Sequence, residues 1–342
     1  MVIPAHEGWP TLTGTLASLR EQDRPPEEII IALDRTVDWG PVPEAVRLHE
    51  PPVIPVSAPA WAGPAGGRNI GLSAATGDVI VFLDSSVVAS PGLITEHLAG
   101  YTDADVAGVA GPTRFVDNGE ETAWFYRFCP FLYPFGMAAE PGELTWSPTA
   151  NLSYHRAAMP QVTFDERFPV AGACEDVNFC FAIRAHGRIE ARPAGRVDHE
   201  LWHPLPMVIR KFYRWGRGEA IMTHKAMTEP GIAPLHARRF NDLHALALLL
   251  LAVLFAVLVE WPQLGAVATI AFGLRLAWRA GSSLRKRGLS SWRSQVAAWI
   301  QVNAYLCGVF REAFRLREAR IFWRSAQLFT STAKPRAFQR PE

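Results

Sequence analysis

Apolar and polar positions along this chain alternate in short blocks over its first two thirds and in long ones thereafter. Val2-Ile3-Pro4, "EEIIIALD" (27–34), Val53-Ile54-Pro55-Val56 and "VIVFLD" (79–84) are brief apolar runs, the pattern of strands covered on both faces. Between them Leu12, Leu16 and Leu19 recur at helical spacing. "GPAGGRNIGLSAATGD" (63–78) reads as a glycine-rich turn feeding a short helix that stops at Gly77. Strands and helices alternating at such intervals predict an α/β sheet, largely parallel, with its ligand site at the carboxyl ends of the strands. Asp34 and Asp84 both fall at such ends. Farther on, "DVAGVAGPTRFV" is expected to add a strand and "ANLSYHRAAM" a strand with a helix start. "CEDVNFCFAIRAHG" (174–187) is expected to form a helix closed by Gly187.

From about residue 240 the blocks lengthen. Ala245 to Val259, extended by Leu243 and Trp261, nears the roughly 20 apolar residues that span a bilayer. Glu260-Trp261-Pro262-Gln263 is a turn, and Leu264 to Trp278 can return. Arg238 and Arg239 before the first run, and Arg279, Arg285, Lys286 and Arg287 after the second, put both flanks on the cytoplasmic side. The stretch 240–280 therefore reads as a transmembrane hairpin; its bland alternative is a buried helical hairpin of a soluble fold. Beyond it, 291–312 mixes Trp292, Val296, Trp299, Ile300 and Val302 with Arg293, Gln295, Gln301 and Asn303, the pattern of an amphipathic interfacial helix. The expected division is thus an α/β domain over 1–235, the hairpin over 240–280, and an amphipathic helix with a basic tail over 288–342.

Composition changes this picture little. The net charge of +1 conceals a basic C-terminal third, which suggests a membrane surface as partner and not nucleic acid. Cys129, Cys174, Cys180 and Cys307 have neither paired nor zinc-ligand spacing, so a disulfide scaffold gains no support. No basic leader with an apolar core opens the chain, and the N-terminal domain is expected in the cytoplasm, held at the cell membrane.

A lone carboxylate ending a buried strand, as Asp84 does, is costly unless a protein partner or a ligand neutralises it. "VIPAHEGWPTLTGTLASLREQ", "IIIALDRTVD", "GPAGGRNIGLSAATGDVIVFLDSS", "ANLSYHRAAM…FDERF" and "EDVNFCFAIRAHG" occur in an order and spacing that resemble family-two glycosyltransferases of the GT-A fold, over roughly residues 2–220. The resemblance implies an inverting transferase that moves a sugar from a nucleoside-diphosphate-sugar to a lipid-linked or cell-envelope glycan acceptor. In it Asp34 meets the nucleotide base or ribose, and Arg68 faces the diphosphate or the base-binding acid. Asp84 matches the first acid of a metal-binding D-x-D, with Ser86 standing where the second is expected. The implied cofactor is Mg²⁺ or Mn²⁺, held by Asp84 and His199. Glu175 and Asp176 match the family's acid pair, the second being the catalytic base. Arg214 and Trp215 match a basic-aromatic stretch contacting diphosphate and acceptor sugar, or else belong to a basic helix lying on lipid headgroups. Because Ser86 replaces an acid, a non-catalytic nucleotide-sugar-binding scaffold subunit is the alternative.

Overall fold

The computed structural model describes residues 1–57, 63–116, 123–126, 129–156, 161–168, 173–201, 204–229, 249–250, 253, 263, 266–275 and 292–324. Its strands are β1 (Val2–Ala5), β2 (Ile29–Leu33), β3 (Val53–Ser57), β4 (Val79–Leu83), β5 (Val87–Ala89), β6 (Val106–Ala110), β7 (Thr113–Val116), β8 (Gly142–Leu144), β9 (Asn151–His155), β10 (Arg188–Ala191) and β11 (Val197–Glu200). Helices are α1 (Thr13–Arg20), α2 (Glu44–Arg47), α3 (Gly63–Ala74), α4 (Leu93–Ala99), α5 (Ala123–Tyr126), α6 (Glu175–Arg184), α7 (Leu205–Thr228), α8 (Trp292–Arg315) and α9 (Ala319–Arg324). The chain divides into two compact units. One comprises Met1–Glu120, Phe131–Pro204 and Thr228–Ile232; the other comprises Glu121–Pro130, Leu205–Met227 and Ala233–Glu342.

The first unit carries an eight-stranded sheet ordered β3-β2-β1-β4-β9-β6-β10-β8 and a three-stranded one ordered β5-β11-β7. β3, β2, β1 and β4 run parallel, and β9 lies antiparallel between β4 and β6. Every residue of β1, β2 and β6 is buried, as their unbroken apolar runs require. β3 takes the edge, where Pro55 can be tolerated. Pro4 is more instructive, because β1 is central. β1 pairs with β4 only at Val2↔Phe82, so Pro4, with no N–H to donate, stands where that ladder is already open. The strand order reverses at this same β1/β4 boundary, and a parallel sheet offers a ligand crevice at such a point.

Leu16 and Leu19 of α1 pack with Ile3, Ile29, Ile31, Val81 and Leu83 in the core under this crevice, as their helical spacing predicts. α3 presses closely on β1: a Cβ at Gly71 would fall 2.3 Å from Val2 Cγ1. A second core layer is aromatic. Phe179 of α6 stacks on Phe164 at 4.0 Å and meets Phe82 of β4 edge-on at 5.6 Å, which anchors α6 against the sheet.

Two expectations are corrected. Gly66, Gly67 and Arg68 lie inside α3 and not in a turn before it, since the helix starts at Gly63. "DVAGVAGPTRFV" forms two strands, because β6 joins the large sheet while β7, after Gly111-Pro112, joins the small one. Leu205–Met227 of α7 group with the C-terminal part of the chain, while Thr228–Ile232 group with the first unit.

In the second unit α7 and α8 cross backbone to backbone. A Cβ at Gly216 would lie 1.8 Å from the Tyr305 carbonyl oxygen, and one at Gly308 would lie 1.9 Å from that of Tyr213. Arg217 Nε donates to the buried Glu312 at 2.8 Å, and Gln301 Nε2 donates to the Phe125 carbonyl at 2.7 Å. The helix expected to be amphipathic packs on α7 and α5 along one face. Among the described residues no helix is long and apolar enough to cross a membrane. Most of the hairpin expected over 240–280 lies outside the described residues.

Candidate functional site

Asp34 and Asp84 end the parallel strands on either side of β1, so both stand at the same carboxyl edge of the sheet. Asp34 is 4% exposed, and its Oδ1 accepts from both the backbone N–H and the hydroxyl of Thr36, each at 2.7 Å. Trp39 Nε1 donates to the Asp34 carbonyl at 2.8 Å, and Trp39 meets Trp9 edge-on at 5.2 Å. The acid is thereby fixed by its own turn, with two indoles beside it.

Asp84 opens the turn between β4 and β5. Thr15 of α1 braces that turn, its hydroxyl lying 3.0 and 2.7 Å from the carbonyls of Ser85 and Val87. Arg68 supplies the partner that the buried strand end demanded. Its Nη2 donates to Asp84 at 3.2 Å and its Nη1 donates to Glu175 at 2.9 Å. The guanidinium also stands 5.4 Å from the Phe164 ring centroid. Arg68 is 5% exposed and Glu175 is equally buried, so this is an internal ion pair and not a loop cation facing solvent. Glu175 is held further by the Ala173 N–H, which donates to its Oε2 at 2.6 Å.

Asp176 follows in the first turn of α6. The helix is entered through Cys174, which adopts φ 68°, a left-handed conformation costing about 1–2 kcal/mol for a side chain with a Cβ. That strained entry sets Glu175 and Asp176 on successive sides of one turn. Burial, then the Glu175 charge beside it, raise the Asp176 carboxyl to about 7. Arg68 opposes the shift and Asp84 adds to it, so the four side chains share one electrostatic environment.

The register of the small sheet explains a residue pair 113 positions apart. β11 pairs with β5 so that His199 sits opposite Val87, which brings its ring to Ser86. His199 Nε2 is 3.2 Å from Ser86 Oγ, and His199 Nδ1 is 2.5 Å from the Glu200 carbonyl. The carbonyl can only accept, so Nδ1 carries the proton and Nε2 turns a lone pair toward Ser86, the tautomer of a metal-binding imidazole. Asp198, next to it, is instead engaged by Arg114 and Arg196. Among the described residues no group of three or more His, Cys, Asp or Glu side chains is arranged to hold a metal ion. The donors present are one carboxylate, one hydroxyl and one imidazole. That set fits a hard divalent cation only where substrate oxygens complete the shell.

Arg214 and Trp215 belong to α7 in the second unit. Arg214 is exposed, and the Lys211 ammonium stands 5.7 Å from the Trp215 ring centroid. Of the aromatic run at 124–135, Phe125, Tyr126 and Phe131 are buried as core, while Trp124 is 42% exposed. Sequence reasoning missed the double engagement of Arg68 and the role of Thr36. The D-x-T spacing after β2 is a readable turn signal; the Arg68 pairing has none.

The model of the family described as Glycosyl transferase family 2 matches residues 1–163. Curated proteins from two strains of Mycobacterium tuberculosis, both named pre-mycofactocin glycosyltransferase, are 30% identical to this chain over 176 residues. The match takes in 49% of this chain and 37% of theirs, so the chain spans little more than a third of those relatives. A mannosyltransferase from Pyrobaculum calidifontis, solved with GDP-Man and Mn²⁺, superposes with a TM-score of 0.59 at 16% identity. The superposition covers 92% of this chain and 86% of that one. Likeness at that identity is one of fold.

Proposed function

We propose that this chain, whose residues 1–163 match the family 2 glycosyltransferase model and whose fold is GT-A, transfers a sugar from a nucleoside-diphosphate-sugar to an acceptor hydroxyl, with inversion, using Asp176 as general base. The observation that carries this reading is the cluster of Arg68, Asp84, Glu175 and Asp176 beside the open β1/β4 ladder. A carboxylate with a pKa near the working pH is well matched to removing a proton as the hydroxyl attacks. The acceptor proton passes to Asp176, the oxygen bonds to the anomeric carbon, and the bond to the diphosphate breaks on the opposite face.

Arg68 is spent on Asp84 and Glu175, so its part is to position those acids and not to neutralise phosphate. Asp34 offers the nucleoside its Oδ2, which takes no hydrogen bond among the described residues. Asp84 and the Nε2 of His199 would hold a divalent cation, Mg²⁺ or Mn²⁺, whose chemistry is to offset the charge of the leaving diphosphate. Bound metal and nucleotide in the Pyrobaculum mannosyltransferase are in keeping with this reading. The long apolar runs over 243–278 support attachment to the cytoplasmic face of the cell membrane and a lipid-linked or envelope glycan acceptor.

Ser86 favours a second reading, a scaffold that binds nucleotide sugar without turnover, because a hydroxyl is a poor substitute for a metal-binding acid. Incubating the full chain with a panel of nucleoside-diphosphate sugars and Mn²⁺ separates the two. Transfer is expected to release one nucleoside diphosphate selectively. Nucleotide binding in a thermal-shift assay with no release from any donor, whatever the acceptor, would leave the scaffold.

A further inference from the structure

α8 carries an apolar stripe on the face opposite the one it packs, interrupted at Asn303, whose amide donates to the Trp299 carbonyl. Ala297, Gln301, Tyr305, Val309 and Glu312 are buried on one side. Val296, Ile300, Cys307, Phe310 and Phe314 recur three, four or seven residues apart, which keeps them together on the other. Phe310 is 54% exposed and Phe314 is 81% exposed. Apolar surface exposed to that extent along one line marks an interaction face.

Two observations identify what covers it. First, the segment 292–324 carries six arginines against two glutamates, and Arg311, Arg315, Arg317 and Arg320 are exposed around the stripe. A second copy of α8 laid on the first would bring two such cationic sets together, whereas an anionic surface complements them. Second, the helical stretch 266–275 of the same unit bears Val267, Ile270 and Leu274, each more than 60% exposed. Large aliphatic side chains exposed along one helix face suit hydrocarbon and not water.

We propose that α8 lies along a bilayer containing anionic lipid, with its Val296-to-Phe314 stripe turned to the acyl chains and its arginines among the headgroups. The proposal rests on the membrane attachment put forward above and adds the contacting surface. In such a position the helix would sit about 5–10 Å deep, parallel to the membrane plane.

Cys307 lies within the stripe and is exposed, while Cys174 and Cys180 are buried. A nitroxide on Cys307, in the full chain carrying Cys129→Ser, reports the phase around it in vesicles of phosphatidylcholine and phosphatidylglycerol. Collisions with oxygen are expected to exceed those with a water-soluble nickel chelate. In the Phe310→Asp/Phe314→Asp variant that order should invert while the chain still sediments with the vesicles. A wild-type label that meets the nickel chelate more often overturns the proposal, and so does dipolar broadening from a neighbouring label, which would mean a second copy. A chain that stays in the supernatant would overturn the attachment itself, leaving sugar transfer untouched.

Discussion

Asp176 owes its chemistry to its neighbours. Burial and the Glu175 charge hold its proton up to about pH 7. The transfer rate should therefore climb as pH rises through about 7 and level off above it, read from initial rates across buffers. Glu175→Gln removes the like charge, the second cause of the shift, so that limb should move to lower pH. Arg68 has the opposite role and a structural one besides. Arg68→Met leaves Glu175 buried without its cation, a loss of about 3–5 kcal/mol that urea denaturation should register. Asp34, Asp84, Glu175 and Asp176 were all legible as acids at the ends of strands or at a helix start. Arg68's partners were not, because its bond to Glu175 joins residues 107 positions apart and nothing local encodes it. The resemblance put Arg68 in a loop, facing the diphosphate or the base-binding acid; the helix begins early enough to turn it inward.

Elements are tied together by polar contacts that periodicity does not reveal. α4 is bound to β9 through His97, which is fully buried. Asn151 Nδ2 donates to the carbonyls of Pro112 and Gly195, so its Oδ1 must accept from His97 Nε2 at 2.8 Å. His97 Nδ1 then accepts from the Ser153 hydroxyl at 2.9 Å. Burial lowers the imidazole to about 4. As pH falls from about 6.5 to 4 the unfolded chain binds a proton that the folded one refuses, so stability should drop by about 3 kcal/mol. Urea midpoints measured over that window should show the slope in wild type and lose it in His97→Gln. The α7–α8 crossing is equally specific. Gly308→Val would drive a side chain into the Tyr213 carbonyl, and the backbone there cannot rotate away. A cost of about 1–3 kcal/mol is expected, visible as a lower melting temperature. The amphipathic character of α8 was readable from its sequence, but the buried half of it was not, since Gln301 and Glu312 look like solvent positions until Phe125 and Arg217 are found against them.

On the scale of the whole molecule, the parallel core was legible because β1, β2 and β4 are short apolar runs ended by acids or turns. The strands that complete the sheet were less so. β8, β9 and β10 pair with partners 42 to 82 residues away, and β6 and β7 part company at Gly111-Pro112 to serve different sheets. The small sheet is what carries His199 to Ser86, so the second half of the site depends on pairing that no motif announces. Within the second unit α7 is held by α8, a helix some 80 residues later, through glycines that look unremarkable in sequence.

Whether the acid cluster performs sugar transfer is tested most directly with Asp176→Asn. The variant keeps the size of the side chain and removes only its ability to take a proton. With the donor that the wild type turns over, transfer should fall by about 10²–10⁴-fold while the thermal shift given by its nucleoside diphosphate is unchanged. Undiminished transfer in the variant would contradict the assignment of the base and, with it, the mechanism built around that crevice.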